Sequence, residues 1–208
     1  MAERTSTYLN FEGNVQDLIG ADTLLSTEKT AINGYFRRWV RKGWNRANWP
    51  EICRIEQRTP ASSVVEYEQS GEEAIGEFLN IFSADPYANT FPYEVAYTLD
   101  YRGAVLLGAT SLGTVHVHYR QRIPDYSGYD GTDTGTDIVD ETFPYRFLNY
   151  AVYGSYSDWL ASEGQHEKSR LTRQQAEETI LDELDILERQ QRQQTATIFS
   201  THNSSQWR

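Results

Sequence analysis

Cysteine, long apolar runs and positive charge are all scarce in this chain. A single cysteine, Cys53, excludes an intramolecular disulfide and any zinc site built from several cysteines, and it suits a reducing compartment. No apolar run approaches the roughly 20 residues that a membrane span needs. The polar start MAERTSTYLNFEG is not typical of a signal peptide. We therefore expect a protein that is made and folded in a cytoplasm.

Recognisable catalytic motifs are also missing. The chain contains no phosphate-binding glycine loop, no G-x-S-x-G elbow and no H-E-x-x-H pair. The carboxylate pairs 66/68 and 72/73 could act on a sugar, but 30 acidic residues make such pairs common by chance. Cys53 adjoins an apolar strand and is better explained as a small core residue than as a nucleophile. The sequence predicts no enzymatic activity and no cofactor.

Two groups of residues have the chemistry of metal ligands, and both have a plainer explanation. His116 and His118 alternate on a predicted strand and so point to one face, but no third ligand has matching spacing. A solvated sheet face explains them better. Four aspartates in the loop 124–140 do not fit the EF-hand spacing, and an exposed loop explains them. These aspartates are Asp130, Asp133, Asp137 and Asp140.

The 19 basic and 30 acidic residues are unevenly distributed, with a net charge of −11. Residues 27–60 hold eight basic and three acidic residues, whereas residues 61–141 hold three and fourteen. Such a division favours packing of one copy against another, positive patch to negative patch. It disfavours general nucleic-acid binding, because most of the surface repels phosphate. The predicted subunit-interface residues are the clustered cations Arg37, Arg38, Arg41, Lys42 and Arg46.

The same basic segment, residues 26–53, predicts a long helix over about 27–47. Ser26 or Thr27 can cap its start, and Pro50 disfavours helical geometry at Trp49. Apolar residues at helical spacing predict its buried stripe. They are Ile32, Phe36, Trp39, Val40 and Ala47.

The remaining pattern predicts an α+β fold. Strands are expected at 52–58, 63–68, 75–82, 92–98, 104–108 and 114–121, which favours a small antiparallel sheet or barrel. Helices from Pro144 to about 163 and over 167–192, with Gly164 between them, predict an antiparallel hairpin. Residues 1–25 are predicted to be a lead-in with one helical turn at 15–20.

The predicted fold class is therefore a helical-bundle core of three long helices with a central antiparallel β insertion and an extended C-terminal arm. The core comprises residues 1–60 and 140–195, the insertion residues 61–139, and the arm residues 196–208. The end of the chain is rich in Ser, Thr and Gln with isolated apolar points. It is either a disordered tail or an arm that becomes ordered on a partner. The predicted docking residues are Ile198, Phe199, His202, Trp207 and Arg208.

Three stretches give the chain a family likeness: YFRRWVRKGWNRANWPEICRIEQ (35–57), VHVHYRQRIPDYSG (115–128) and ETFPYRFLNYAVYGSYSDWLASEGQHEKSR (141–170). In these, and above all in W-x-x-A-N-W-P-E and F-P-Y-R-F-L-x-Y-A, it resembles bacteriophage head–tail connector proteins, the adaptor or tail tubular protein A-like family. The resemblance implies a virion protein of the neck or tail that forms a ring, typically of twelve copies, beneath the portal. It implies a C-terminal arm that binds the portal, attachment of a tail or nozzle protein, DNA passing through the channel without specific binding, and no enzymatic activity.

A carbohydrate- or receptor-binding tail module is the alternative function. Tyrosine-rich strands such as FPYEVAY (91–97) could offer aromatic platforms for sugars. Such modules are usually all-β, however, and nearly half of this chain is predicted to be helical.

Overall fold

A computed structural model describes residues 5–88, 92–108, 113–126 and 142–203, with side chains described up to residue 192. The chain divides into two compact units, one of residues 1–47 with 125–208 and the other of residues 48–124. We call them the helical unit and the β unit. The described elements in chain order are β1 (Thr5–Thr7), α1 (Tyr8–Ile19), α2 (Ser26–Trp44), β2 (Cys53–Arg58), β3 (Val64–Glu66), β4 (Ile75–Phe82), β5 (Tyr97–Leu99), β6 (Gly103–Leu106), β7 (Val115–Gln121), β8 (Thr142–Pro144), a 3-10 turn (Tyr145–Phe147), α3 (Leu148–Ser162) and α4 (His166–Asn203).

The β unit contains two three-stranded antiparallel sheets, with strand orders β2-β7-β4 and β3-β6-β5. Alternating apolar residues of β6 and β7 contribute to its core, as the period-2 pattern of a strand requires. The core residues of β4, which are Ile75, Phe78 and Ile81, lie three apart because the register of β4 against β7 shifts twice. Gly103 starts β6 because any Cβ there would lie 2.0 Å from the carbonyl oxygen of Val65. The turn before it is closed by Asp100 and Gly103, whose backbone groups exchange hydrogen bonds of 2.8 and 3.2 Å.

The β unit contains a buried arginine, Arg58. The side chain of Arg58 is fully buried and contacts the carboxylates of Glu56, at 2.9 Å, and Glu72. It also donates to the carbonyl oxygen of Glu73 at 2.8 Å and to the Tyr119 hydroxyl at 3.3 Å. Burial and the neighbouring Glu56 raise the pKa of Tyr119. A buried guanidinium needs this set of acceptors, because an unpaired charge would be costly at such a site.

The helical unit is built around an aromatic cluster centred on Phe36 of α2. Its ring lies 4.6 to 5.3 Å from the rings of Phe11, Tyr8, Phe143 and Tyr126. Edge-on and tilted contacts of this kind add to the stabilisation from burial. The cluster gathers segments that are far apart in sequence, and β1 pairs with β8 beside it.

The predicted fold class is wrong. The described residues form four α-helices and eight strands in three small antiparallel sheets, instead of a bundle of three long helices with one β insertion. The unexpected helix is α1, which the prediction reduced to one turn. Thr7 caps it by accepting from the Asn10 N–H at 3.3 Å, and Gly20 ends it in a left-handed conformation at φ 75°.

Two further differences concern the ends of the last helices. Pro144 lies in β8, paired with Thr5, so α3 begins at Leu148 and not at the proline. The backbone of residues 196–203 continues α4, so this part of the predicted extended arm is helical. Residues 165–203 contain neither glycine nor proline, and therefore nothing in the sequence ends the helix at 192. The predicted stop at Gly164 is confirmed, with φ 75° and the Gln165 N–H donating to the Leu160 oxygen at 2.9 Å.

A glycine on α3 should be irreplaceable, because a Cβ at Gly154 would lie 2.2 Å from the indole of Trp39. We expect Gly154→Ala to lower the free energy of unfolding by about 2 kcal/mol or more, since overpacking outweighs the gain in helix propensity. The matched control is Gly13→Ala in α1, where a Cβ meets open space. That variant should gain about 1 kcal/mol. Urea unfolding followed by circular dichroism measures both, and equal effects would contradict the close contact.

Candidate functional site

One face of α2, together with the two residues after it, forms a positively charged groove. Its volume is about 710 Å³, and we call it the basic groove. Cations three and four residues apart are neighbours on a helix face, so the spacing of these residues brings them together. The groove is lined by Gly34, Arg37, Arg38, Arg41, Lys42, Asn45 and Arg46, with Glu177 of α4. All five predicted interface cations therefore lie at one site.

Two of these cations are paired with carboxylates at the rim of the groove. Arg37 contacts Asp125 at 3.3 Å, and both side chains are largely exposed. Arg46 pairs with Glu177, which also accepts from the Tyr150 hydroxyl at 3.5 Å. Burial, followed by the charge of Glu177, raises the pKa of Tyr150. Exposed pairs of this kind contribute about 0–1 kcal/mol each, so Arg37 can change partners easily.

Arg38 has a different role, because it belongs to a buried carboxylate cluster. Asp158 of α3 is 6% exposed and accepts hydrogen bonds from three donors. They are the indole N–H of Trp39 at 2.9 Å, Arg38 at 3.0 Å and Arg173 at 2.9 Å. The three donors satisfy a carboxylate that would otherwise be expensive to bury. We call this set of four residues the Asp158 cluster.

The indole of Trp39 connects this cluster to the groove. It is fully buried and meets the ring of Tyr150 edge-on at 5.0 Å. Above it lies the ammonium group of Lys42, 4.0 Å from the ring centre. A cation over an indole face is held electrostatically without losing its charge. Lys42 is thus positioned by the tryptophan, while its charge stays available to a partner.

Arg41 is the other available cation. It is exposed, and among the described side chains no carboxylate lies within ion-pairing distance of it. Lys42 likewise has no ion pair within the described part of the chain. The groove therefore presents two uncompensated positive charges on adjacent residues. Chemically it can receive an anionic group.

Sequence reasoning missed the residues that support the groove, namely Asp158, Arg173 and Gly154. One signal was present: Asp158 is the sole charged residue of α3, a helix that is otherwise apolar, small or uncharged. A lone carboxylate on a helix with a mostly buried surface indicates an internal partner. Its partner on α2, 119 positions earlier, cannot be read from spacing.

The other sequence candidates do not join the groove. Ile198, Phe199 and His202 lie on α4, with side chains outside the described set, while Trp207 and Arg208 lie outside the described residues, as do the aspartates of 130–140. His116 and His118 are half-buried on β7, and burial lowers the pKa of His118. In the described ranges, no group of three or more His, Cys, Asp or Glu side chains could hold a metal ion.

The remaining sequence candidates, which are the carboxylate pairs and Cys53, take part in structural contacts. Glu72 and Glu68 are paired with Arg58 and Arg122, and Glu73 accepts from the side chain of Gln121. Burial raises the pKa of the Cys53 thiol, which disfavours the thiolate that nucleophilic attack requires. None of the described helices combines the length and the apolar character that crossing a membrane requires.

No family model matches the chain, and a search of the curated proteins returns no match.

The contribution of the Asp158 cluster to stability can be tested by removing its carboxylate. We expect Asp158→Ala to lower the free energy of unfolding by about 3 kcal/mol, because the buried Trp39 N–H loses its acceptor and two guanidinium groups lose their carboxylate. Asp125→Ala removes a carboxylate from the same face but from an exposed pair, and should cost about 0–1 kcal/mol. Urea unfolding of both variants measures the difference. A cost for Asp158→Ala as small as that of the control would show that the cluster is not stabilising.

Proposed function

We propose that this protein is a structural adaptor of a phage head–tail connector, and that its subunits associate into a ring through the basic groove. The observation that carries this proposal is the pair Arg41 and Lys42, two uncompensated cations on an exposed helix face of a chain with net charge −11. Another copy of so acidic a protein offers carboxylates in excess. Association of two different patches on identical subunits is the heterologous contact from which rings are built.

An acidic protein surface suits the groove better than nucleic acid does. The rim of the groove carries the carboxylates of Asp125 and Glu177, which would face a phosphate backbone at close range. The net charge of the chain repels a polyanion at longer distances. Non-specific DNA binding depends on many simultaneous phosphate contacts, whereas the groove offers two uncompensated charges among the described residues.

The wider role rests on the resemblance of residues 35–57, 115–128 and 141–170 to connector proteins. In this proposal the ring, of about twelve copies as the resemblance implies, lies beneath the portal in the neck of the virion. It extends the DNA channel, whose acidic subunits do not hold phosphate, and offers an attachment site to the tail or nozzle protein. The role is structural and involves no catalysis, no cofactor and no membrane. The end of the chain, residues 196–208, binds the portal.

Charge reversal at the groove tests the subunit contact. The double variant Arg41→Glu, Lys42→Glu should stay folded but lose assembly, because both reversed side chains are exposed and neither donates to Asp158. The loss of the contact between Lys42 and the Trp39 ring should cost about 0.5–1 kcal/mol, too little to unfold the chain. Arg38 is left unchanged, since its reversal would also break that cluster. Mass photometry at micromolar protein and electron microscopy of stained particles measure assembly, and circular dichroism checks the fold.

The control for this variant is Arg102→Glu, Arg122→Glu, which makes the same change in net charge at exposed positions of the β unit. It should assemble like the wild type. Rings that form equally well from the groove variant would refute the role of the groove in assembly.

Truncation after residue 195 tests the docking segment separately. The last buried residue among the described side chains of α4 is Leu187, so the shortened chain keeps the buried contacts of α4 that the structure describes. We expect a folded protein that still forms rings and no longer binds rings of the cognate portal protein. Co-sedimentation of the two rings measures binding. Unchanged affinity for the portal would exclude the segment as the docking element.

A further inference from the structure

We infer that the surface which fills the basic groove is the outward face of α4 in a second copy of the chain. This inference rests on the proposed function and names its partner surface. We call this surface the α4 face. It consists of the exposed residues on the side of α4 that points away from α3: Leu171, Glu178, Leu181, Asp182 and Ile186.

Three large aliphatic side chains are exposed on the α4 face. Leu171, Leu181 and Ile186 are 57%, 55% and 40% exposed, while Ala176, Ile180 and Leu187 of the same helix are buried. Residues 171, 178, 182 and 186 follow one another at intervals of seven and four, so they lie along a single stripe opposite the buried one. The aliphatic residues are spread along this side of α4, with Glu178 and Asp182 between Leu171 and Ile186. Single exposed aliphatic residues are common on protein surfaces, so the carboxylates between them carry the argument.

The charges of the α4 face complement those of the groove. Most carboxylates of α4 are already paired within the helical unit, including Glu177, Glu183, Asp185 and Glu188. Glu178 and Asp182 are the exceptions on this stripe. Glu178 accepts from the amide of Gln174 at 3.0 Å, and neither Glu178 nor Asp182 forms an ion pair among the described side chains. The charge of Asp182 does act on the nearby guanidinium of Arg189, whose ion-pair partner is Asp185.

The spacing of the two carboxylates on the α4 face matches the spacing of cations in the basic groove. Glu178 and Asp182 are four residues apart, which is about 6 Å along a helix. Arg37 and Arg41 have the same separation on α2, and Lys42 adjoins them. Two helices laid side by side can therefore bring both carboxylates against cations. The arginine and lysine side chains of the groove have long aliphatic stems, and apolar side chains pack well against such stems. The leucines of the α4 face would cover them.

The β unit is a weaker source of partners than its composition suggests. Its acidic residues are numerous, but at least five of the ten described are paired internally: Glu56 and Glu72 with Arg58, Glu68 with Arg122, Glu77 with Arg120 and Asp100 with Arg102. Those pairs would have to break before a groove could bind them. The carboxylates of the α4 face carry no such cost.

Mixing two assembly-defective variants tests the inference. One carries Glu178→Lys and Asp182→Lys, which reverses the α4 face, and the other carries Arg41→Glu and Lys42→Glu, which reverses the groove. Each alone should assemble at least about tenfold more weakly than the wild type, as expected for close charge pairs at an interface. In an equimolar mixture, the unaltered groove of the first matches the unaltered face of the second, and the two reversed surfaces also match. Assembly should return, with both variants in the same particle.

The control is Asp17→Lys, Glu163→Lys, which changes the net charge by the same amount at exposed residues away from the α4 face. It should assemble like the wild type. Mass photometry with one variant carrying a fluorescent label measures both assembly and composition.

If the α4-face variant assembles normally while the groove variant does not, the groove has another partner and this inference is overturned, although the proposed function survives. A mixture that stays unassembled overturns it as well. A wild type that is monomeric at all accessible concentrations would instead refute the proposed function itself.

Discussion

The helical unit depends on one buried carboxylate. Asp158 holds the indole N–H of Trp39 and two arginines, and so ties α2, α3 and α4 together at a single point. Trp39 can lie there only because Gly154 leaves its face free. The polar and apolar contacts require each other, because the indole must be buried to pack and must be hydrogen-bonded to be buried. The orientation of the cationic face of α2 follows from this arrangement.

The clustered cations of α2 consequently divide into two kinds. Arg38 serves the internal cluster, and Arg37 and Arg46 have carboxylates of their own at the rim. Arg41 and Lys42 keep their charge for something outside the subunit. A count of charges along the sequence treats all five alike, whereas the structure separates the charges that maintain the fold from those that can recognise a partner. The same distinction singles out Glu178 and Asp182 on α4.

Local signals in the sequence were reliable where neighbouring residues decide the structure. Short β-branched and aromatic runs predicted β4 and β7 closely, and Gly164 predicted the stop between α3 and α4. The cations of residues 37–46, which cluster in the sequence, also lie at one site. The predicted fold class was wrong because long-range packing determines the elements that the prediction missed. The helix α1 depends on burying Tyr8 and Phe11 against Phe36, and the position of Pro144 depends on pairing with Thr5. The contact between Trp39 and Asp158 belongs to the same class, because only the folded chain brings residues 119 positions apart into reach.

The interrupted course of the helical unit has a consequence for the order in which the molecule folds. Its two parts are separated by the whole β unit, residues 48–124. Within that unit, the Gln121 N–H donates to the Ile52 oxygen at 2.8 Å, so its entrance and exit lie side by side. A β unit that is already folded shortens the loop between Trp39 and Asp158 from 119 residues to effectively about 50, and each halving of a loop saves about 0.6 kcal/mol of closure entropy. During synthesis the β unit is also complete before α3 and α4 exist. If the β unit stayed unfolded, the loop would keep its full 119 residues, and the Asp158 cluster would close more slowly even though the β unit contributes no residue to it.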